Sequence, residues 1–88
     1  MLERQVTVSN RHGIHARPAA EIVKTAARFV SEITLVRDDL EVNGKSIMGV
    51  MMLAAECGAA VTVRASGADA ELALAALTEL IAGRFGEH

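Results

Sequence analysis

The apolar residues of this chain repeat at two different spacings, and the order of those spacings limits the folds that it can adopt. Some segments carry an apolar residue at every second position, which is typical of strands with one buried face; these are residues 3–9, 31–37, 40–42 and 60–65. Others repeat every third or fourth position, as one face of a helix does; these are residues 16–29, 46–53 and 69–83. The predicted order is β-α-β-β-α-β-α.

Because each predicted strand has only one apolar face, the strands are expected to form an antiparallel sheet whose helices cover one side. The fold class is therefore α+β, with a four-stranded antiparallel sheet and three helices on one face. A length of 88 residues predicts one domain over residues 1–88. Its core must be aliphatic, since Phe29 and Phe85 are the only aromatic residues besides the histidines.

Composition argues against several classes of function. A net charge of −2 and the scarcity of aromatic residues disfavour nucleic-acid binding. No basic segment precedes an N-terminal apolar run, and no apolar stretch reaches the ~20 residues of a membrane span, so export and membrane insertion are not expected. Cys57 is the only cysteine and is expected in the core or at a helix end; its lack of a disulfide partner fits a reducing, cytoplasmic location.

Residues 13–19 read Gly-Ile-His-Ala-Arg-Pro-Ala and place an imidazole at the predicted start of the first helix. A helix start offers backbone N–H groups and the positive end of the helix dipole, which together bind phosphate. The backbone around Ala16, Arg17 and Pro18 is thus a predicted phosphate cradle. Arg17 can add two parallel hydrogen bonds to phosphate oxygens. We therefore predict that the neutral, nucleophilic imidazole of His15 carries a phosphoryl group.

The predicted second helix begins after Ser46, a good N-cap residue. Three apolar residues on this helix are expected to be exposed and to dock partners, namely Ile47, Met48 and Met51, whereas Met52 and Leu53 are expected to be at least partly buried. The chain has no Walker-type loop, no evident magnesium site and no sign of a cofactor. Catalytic power is therefore expected to belong mainly to partner enzymes, which makes this chain a carrier with a phosphohistidine intermediate rather than a stand-alone enzyme.

Two segments together, residues 13–19 and residues 43–51, resemble the signatures of the HPr family, the histidine-containing phosphocarriers of the phosphoenolpyruvate-dependent phosphotransferase system. The resemblance spans essentially the whole chain and implies the family's open-faced β-sandwich. It implies that His15 accepts a phosphoryl group from phosphorylated enzyme I and passes it to enzyme IIA domains, as in sugar transport. It also implies that Arg17 contacts the phosphate. Ser46 matches a position that a dedicated kinase phosphorylates in many relatives, so the resemblance also implies a kinase/phosphorylase and regulators as partners. The carrier itself is expected to be a monomer.

Alternatives remain open at this stage. The residues do not separate a sugar-uptake carrier from one in a nitrogen-related regulatory branch, and they do not identify the sugar or permease. A docking adaptor without carrier function should lack His15, and a ferredoxin-like ligand-binding module would not explain the signature. His12 departs from the small polar residue that is more usual in the family. Its side chain is either solvated or alters the charge near His15. A metal site formed by His12 and His15 is not expected, because the sequence shows no third ligand. His88 is expected to be disordered.

Overall fold

The computed structural model describes residues 1–86, and its elements follow the predicted order. The four strands are β1 (Leu2–Thr7), β2 (Glu32–Arg37), β3 (Leu40–Asn43) and β4 (Ala60–Ser66). The three α-helices are α1 (Ala16–Ala26), α2 (Ile47–Met52) and α3 (Ala70–Ala82), and a 3₁₀ turn follows at Arg84–Gly86. None of these helices combines the length and the hydropathy needed to cross a bilayer.

The strands form one antiparallel sheet in the order β1-β4-β2-β3. Val61 and Val63 of β4 are fully buried on the helix-covered face, as predicted, while Thr62 and Arg64 alternate with them. On the other face, Arg64 pairs with carboxylates from two other strands. The fold is therefore an α+β open-faced sandwich, as expected, and its core is aliphatic apart from the buried Phe85.

The first helix is shorter than predicted. It ends at Ala26. The chain then forms tighter turns with i→i−3 hydrogen bonds, in which the N–H of Phe29 donates to the carbonyl of Ala26 at 3.1 Å. The N–H of Val30 then donates to the carboxylate of Asp69, which ends any continuation of the helix. Val30 continues the helical repeat of apolar residues in the sequence, which predicts it on the apolar stripe; this prediction is wrong, since Val30 lies beyond the helix and is 79% exposed.

The second helix buries fewer residues than the sequence predicts. It is so short that Val50 is its only buried residue, and the chain turns at the C-cap residue Leu53, which is buried as expected. Met52 was expected to be partly buried but is 65% exposed. The expectation that Cys57 lies in the core or at a helix end was wrong as well, because the chain has already left the helix and Cys57 lies exposed in the following turn.

Candidate functional site

The imidazole of His15 lies at the start of α1. His15 is the N-cap residue, with an extended backbone at φ −98° and ψ −165°, and its side chain makes no capping hydrogen bond. The residue is exposed, and its carbonyl accepts the first intrahelical bond, from the N–H of Ala19 at 2.9 Å. The ring is therefore accessible at the positive end of the helix dipole.

The first turn of α1 has few N–H groups to offer an anion. Pro18, the third helical residue, is buried and has no N–H at all, and the N–H of Ala19 is already committed to His15. In this turn, the N–H groups of Ala16 and Arg17 come before the first N–H group that donates an intrahelical hydrogen bond. Of the predicted cradle, Ala16 and Arg17 can thus act as donors, whereas Pro18 can only fix the backbone.

The guanidinium of Arg17 lies along α1 rather than in open solvent. Its Nη1 is 3.2 Å from a carboxylate oxygen of Glu21, one turn further along the helix, and its Nη2 donates to the carbonyl of Phe85 at 3.4 Å. The side chain is about half exposed. Glu21 could have been anticipated from its i+4 spacing, whereas nothing in the sequence signals the contact with Phe85.

The loop that precedes His15 is held in place by hydrogen bonds between its own residues. Asn10 is fully buried, and its side-chain amide donates to the carbonyl of Gly13 at 2.6 Å. The N–H of Gly13 returns a bond to the carbonyl of Asn10 at 3.1 Å, and the N–H of His15 donates to the carbonyl of Gly13 at 3.2 Å. The sequence around Asn10 predicts only a polar break after the first strand and gives no sign of this buried contact.

The same loop rests on residues 53–58, which we call the backing segment. The N–H of Ile14 donates to the carbonyl of Ala55 at 2.8 Å, and the N–H of Gly58 donates to the carbonyl of Val8 at 2.7 Å. Gly13 has φ +66°, and a Cβ built there would lie 2.5 Å from the oxygen of Ala55. The loop and the backing segment are therefore packed backbone against backbone, and a side chain at residue 13 would separate them.

A second imidazole is close to the first. The ring centroids of His12 and His15 are 6.2 Å apart and the rings are nearly perpendicular, at 81°. Both residues are exposed. Within residues 1–86, no group of three or more histidine, cysteine, aspartate or glutamate side chains is arranged to hold a metal ion. His88 lies outside the described residues.

The helix α2, which packs against α1, carries the remaining predicted residues. Ser46 is its N-cap, as predicted, and the hydroxyl oxygen accepts a hydrogen bond from the N–H of Gly49 at 3.2 Å. The three apolar residues expected to dock partners are all exposed, and we call them the α2 surface: Ile47, Met48 and Met51. Met52 adds to the exposed apolar area.

Comparison with known proteins gives one consistent result. The family model described as "PTS HPr component phosphorylation site" matches residues 2–83. The chain is 51% identical over 88 residues to phosphocarrier protein HPr of Treponema pallidum, covering 100% of both chains. It is 38% identical to phosphocarrier protein NPr of Shewanella violacea, covering 98% of this chain and 94% of that protein. The crystal structure of HPr-C-His from Thermoanaerobacter tengcongensis superposes with a TM-score of 0.96 at 45% identity, covering 100% of this chain and 99% of the other.

Proposed function

Since this chain belongs to the HPr family of phosphocarriers of the phosphotransferase system, we propose that His15 accepts a phosphoryl group from phosphorylated enzyme I and passes it to enzyme IIA domains. The observation that carries this proposal is the exposed imidazole at the N-cap of α1, where it lies at the positive end of the helix dipole. The proposal includes a monomeric carrier, one domain over residues 1–88 and a cytoplasmic location.

The transfer needs little chemistry from the carrier itself. A nitrogen lone pair of His15 attacks the phosphorus, and the nitrogen–phosphorus bond forms as the bond from phosphorus to the donor breaks. The negative charge that arrives on the carrier is placed at the positive end of α1, near the N–H groups of Ala16 and Arg17. The buried Pro18 fixes the first turn, so these donors need no reorganisation during transfer.

Arg17 supplies the side-chain contact to the phosphoryl group in this scheme. Its guanidinium exchanges acceptors such as the carboxylate of Glu21 and the carbonyl of Phe85 for phosphate oxygens. Giving up the ion pair with Glu21 costs little, because an exposed ion pair at i, i+4 contributes only about 0.3–0.5 kcal/mol. A planar guanidinium can bind two phosphate oxygens at once, which a lysine cannot do.

Partner docking and regulation involve the second helix. The α2 surface is apolar and contains two flexible methionines, Met48 and Met51, which suit a surface that must fit both enzyme I and enzyme IIA. Phosphorylation of Ser46 by a dedicated kinase would add about −1.5 to −2 charges beside this surface at pH 7. At an N-cap that charge is tolerated, so it acts by repelling acidic partner surfaces and attracting basic regulators rather than by unfolding the protein.

Incubation with enzyme I and phosphoenolpyruvate, followed by intact-mass spectrometry, tests the carrier proposal. We expect one phosphoryl group on the wild-type chain, lost on mild acid treatment, and none on His15→Ala. His12→Ala is the matched control, since it removes the neighbouring exposed imidazole and should leave the adduct in place. An unchanged wild-type mass with several active enzyme I preparations, or an adduct that survives in His15→Ala, would overturn the proposal.

The likeness to an NPr phosphocarrier supports a second candidate, a carrier in a nitrogen-related regulatory branch. Both candidates use the same chemistry at His15 and differ in the acceptor. Presenting the phosphorylated chain to enzyme IIA domains of sugar permeases and of the nitrogen-related branch separates them, because the physiological acceptor should take the phosphoryl group faster.

A further inference from the structure

Arg37, the last residue of β2, binds the backing segment at several points. Its Nη1 donates to the carbonyl of Ala54 at 2.5 Å and to that of Leu53 at 3.2 Å. Its Nη2 donates to the carboxylate of Glu56 at 2.7 Å. The side chain is only 23% exposed, so one partly buried guanidinium holds Leu53, Ala54 and Glu56 of this short, irregular segment.

The backbone that Arg37 binds includes a residue in a strained conformation. Ala54 has φ +50°, in the left-handed region that residues with a Cβ seldom occupy because it strains the backbone. Glu56 keeps its charge for the pairing, since a hydrogen bond from its own backbone amide and one from Arg37 hold the pKa of its carboxyl below the ordinary value. Hydrogen bonds to charged groups are stronger than neutral ones, so Arg37 can offset the strain at Ala54.

The residue between these contacts supports the His15 loop. Ala55 lies between Ala54 and Glu56, and its carbonyl accepts the N–H of Ile14 at 2.8 Å. Ile14 is buried and directly precedes His15. We propose that Arg37 is a positioning residue for His15: by fixing the backing segment, it fixes the carbonyl that holds Ile14 and thereby the direction of the imidazole. This inference rests on the carrier function proposed for His15.

Positioning predicts a particular change in kinetics. A displacement of about 1 Å at a reacting group can cost roughly 100-fold in rate. The α2 surface has further anchors that lie outside the contacts of Arg37, namely the Ser46 cap and the buried Val50. Loss of Arg37 should therefore lower kcat for phosphorylation by enzyme I by about 10-fold to 100-fold, with little change in the KM for the carrier.

The chain offers a matched control in Arg64. Its guanidinium also forms side-chain ion pairs, with the carboxylates of Glu3 and Glu41, but these lie on the open face of the sheet. We would compare Arg37→Met with Arg64→Met in two measurements, the hydrogen exchange of the Ile14 amide and the steady-state kinetics with enzyme I. Arg37→Met should speed exchange at Ile14 by about 10-fold or more relative to Arg64→Met, by local opening, and should lower kcat. Arg37→Lys, which retains charge but not the fork, should fall between wild type and Arg37→Met in both measurements and serves if Arg37→Met does not fold.

Several outcomes would overturn the inference. These are unchanged exchange at Ile14 in Arg37→Met, an equal change in Arg64→Met, or a rise in KM with kcat intact, which would mean that Arg37 acts on docking. If wild-type protein is not phosphorylated at all, the proposed function fails. The exchange at Ile14 is independent of activity, so it still shows whether Arg37 holds the loop in place.

Discussion

The carboxylate of Asp69 accepts hydrogen bonds from both the hydroxyl and the backbone N–H of Ser31, at 2.6 and 3.0 Å. It also accepts the N–H of Val30 at 3.0 Å. These bonds join the N-cap of α3 to the chain just before β2. The bond from the Ser31 hydroxyl is the largest cause that holds the pKa of Asp69 below its ordinary value of 3.8. Backbone bonds from Val30, Ser31 and Asp69 itself add to this effect, and desolvation opposes it.

This relationship predicts an acid-dependent stability. A carboxyl whose pKa is lower in the folded state contributes stability that is fully present above its ordinary pKa and is lost as the pH falls toward the folded value. The free energy of unfolding should therefore fall below about pH 4, and less steeply in Asp69→Asn, which should also be less stable at neutral pH. Urea denaturation at a series of pH values measures both effects. Asp39→Asn, in the exposed hairpin turn, is the control and should retain the wild-type profile; an unaltered profile in Asp69→Asn would refute this account.

Gly13→Ala should destabilise the protein by about 2–4 kcal/mol, because the new Cβ meets the oxygen of Ala55 and the backbone keeps a positive φ. Gly58→Ala is a suitable comparison, since Gly58 also has positive φ but a Cβ there meets nothing within 4 Å. The difference between the two variants in urea denaturation isolates the contact with the backing segment. Equal losses would mean that this contact is unimportant.

Ser46→Ala should cost about 1 kcal/mol of unfolding free energy, since it removes the acceptor for the N–H of Gly49. Ser46→Asp should retain nearly wild-type stability, because aspartate caps helices as well as serine does. If the charge acts on docking, Ser46→Asp should still raise the KM of enzyme I for the carrier, while Ser46→Ala leaves it unchanged. Thermal unfolding and steady-state kinetics on the same preparations separate the two effects, and a wild-type rate for Ser46→Asp would rule out the charge account.

Met48→Asp should raise the KM of enzyme I for the carrier by about 10-fold or more, as expected for a charge buried at an apolar interface. Leu72→Asp on α3 is the matched control, since Met48 and Leu72 are both 68% exposed. Each substitution should leave the unfolding free energy within about 0.5 kcal/mol of wild type. Equal effects of the two variants on KM would place docking away from the α2 surface.

The order of elements and the position of His15 could be predicted from sequence because both depend on local signals. Alternating apolar residues specify the strands, the helical repeat specifies the helices, and the cap at Ser46 lies within three residues of the amide that it binds. The predicted sheet with helices on one face was correct for the same reason, since one apolar face per strand needs only one covering layer.

The errors fall where a distant contact or an early helix end, rather than a local repeat, decides which side chains are buried. Val30 fits the helical repeat of α1, but Asp69, 39 residues away, binds its N–H and exposes the side chain. Met52 has a core-like side chain, but the helix that carries it is too short to turn it inward. The contacts of Arg37 with the backing segment span 16 to 19 residues and follow no period, so no pattern in the sequence could have indicated them.

The choice of histidine as the N-cap residue of α1 has a thermodynamic consequence. Most helices fill that position with a serine or aspartate whose oxygen accepts the first N–H groups, and such a cap contributes about 0.5–2 kcal/mol. In this chain an imidazole stands there and makes no such bond, so a phosphoryl group on it would supply the missing oxygens. Any stability that the phosphorylated form gains from these hydrogen bonds lowers its phosphoryl-transfer potential by the same free energy. The strength of the hydrogen bonds at the start of α1 therefore affects how readily the phosphoryl group is passed on.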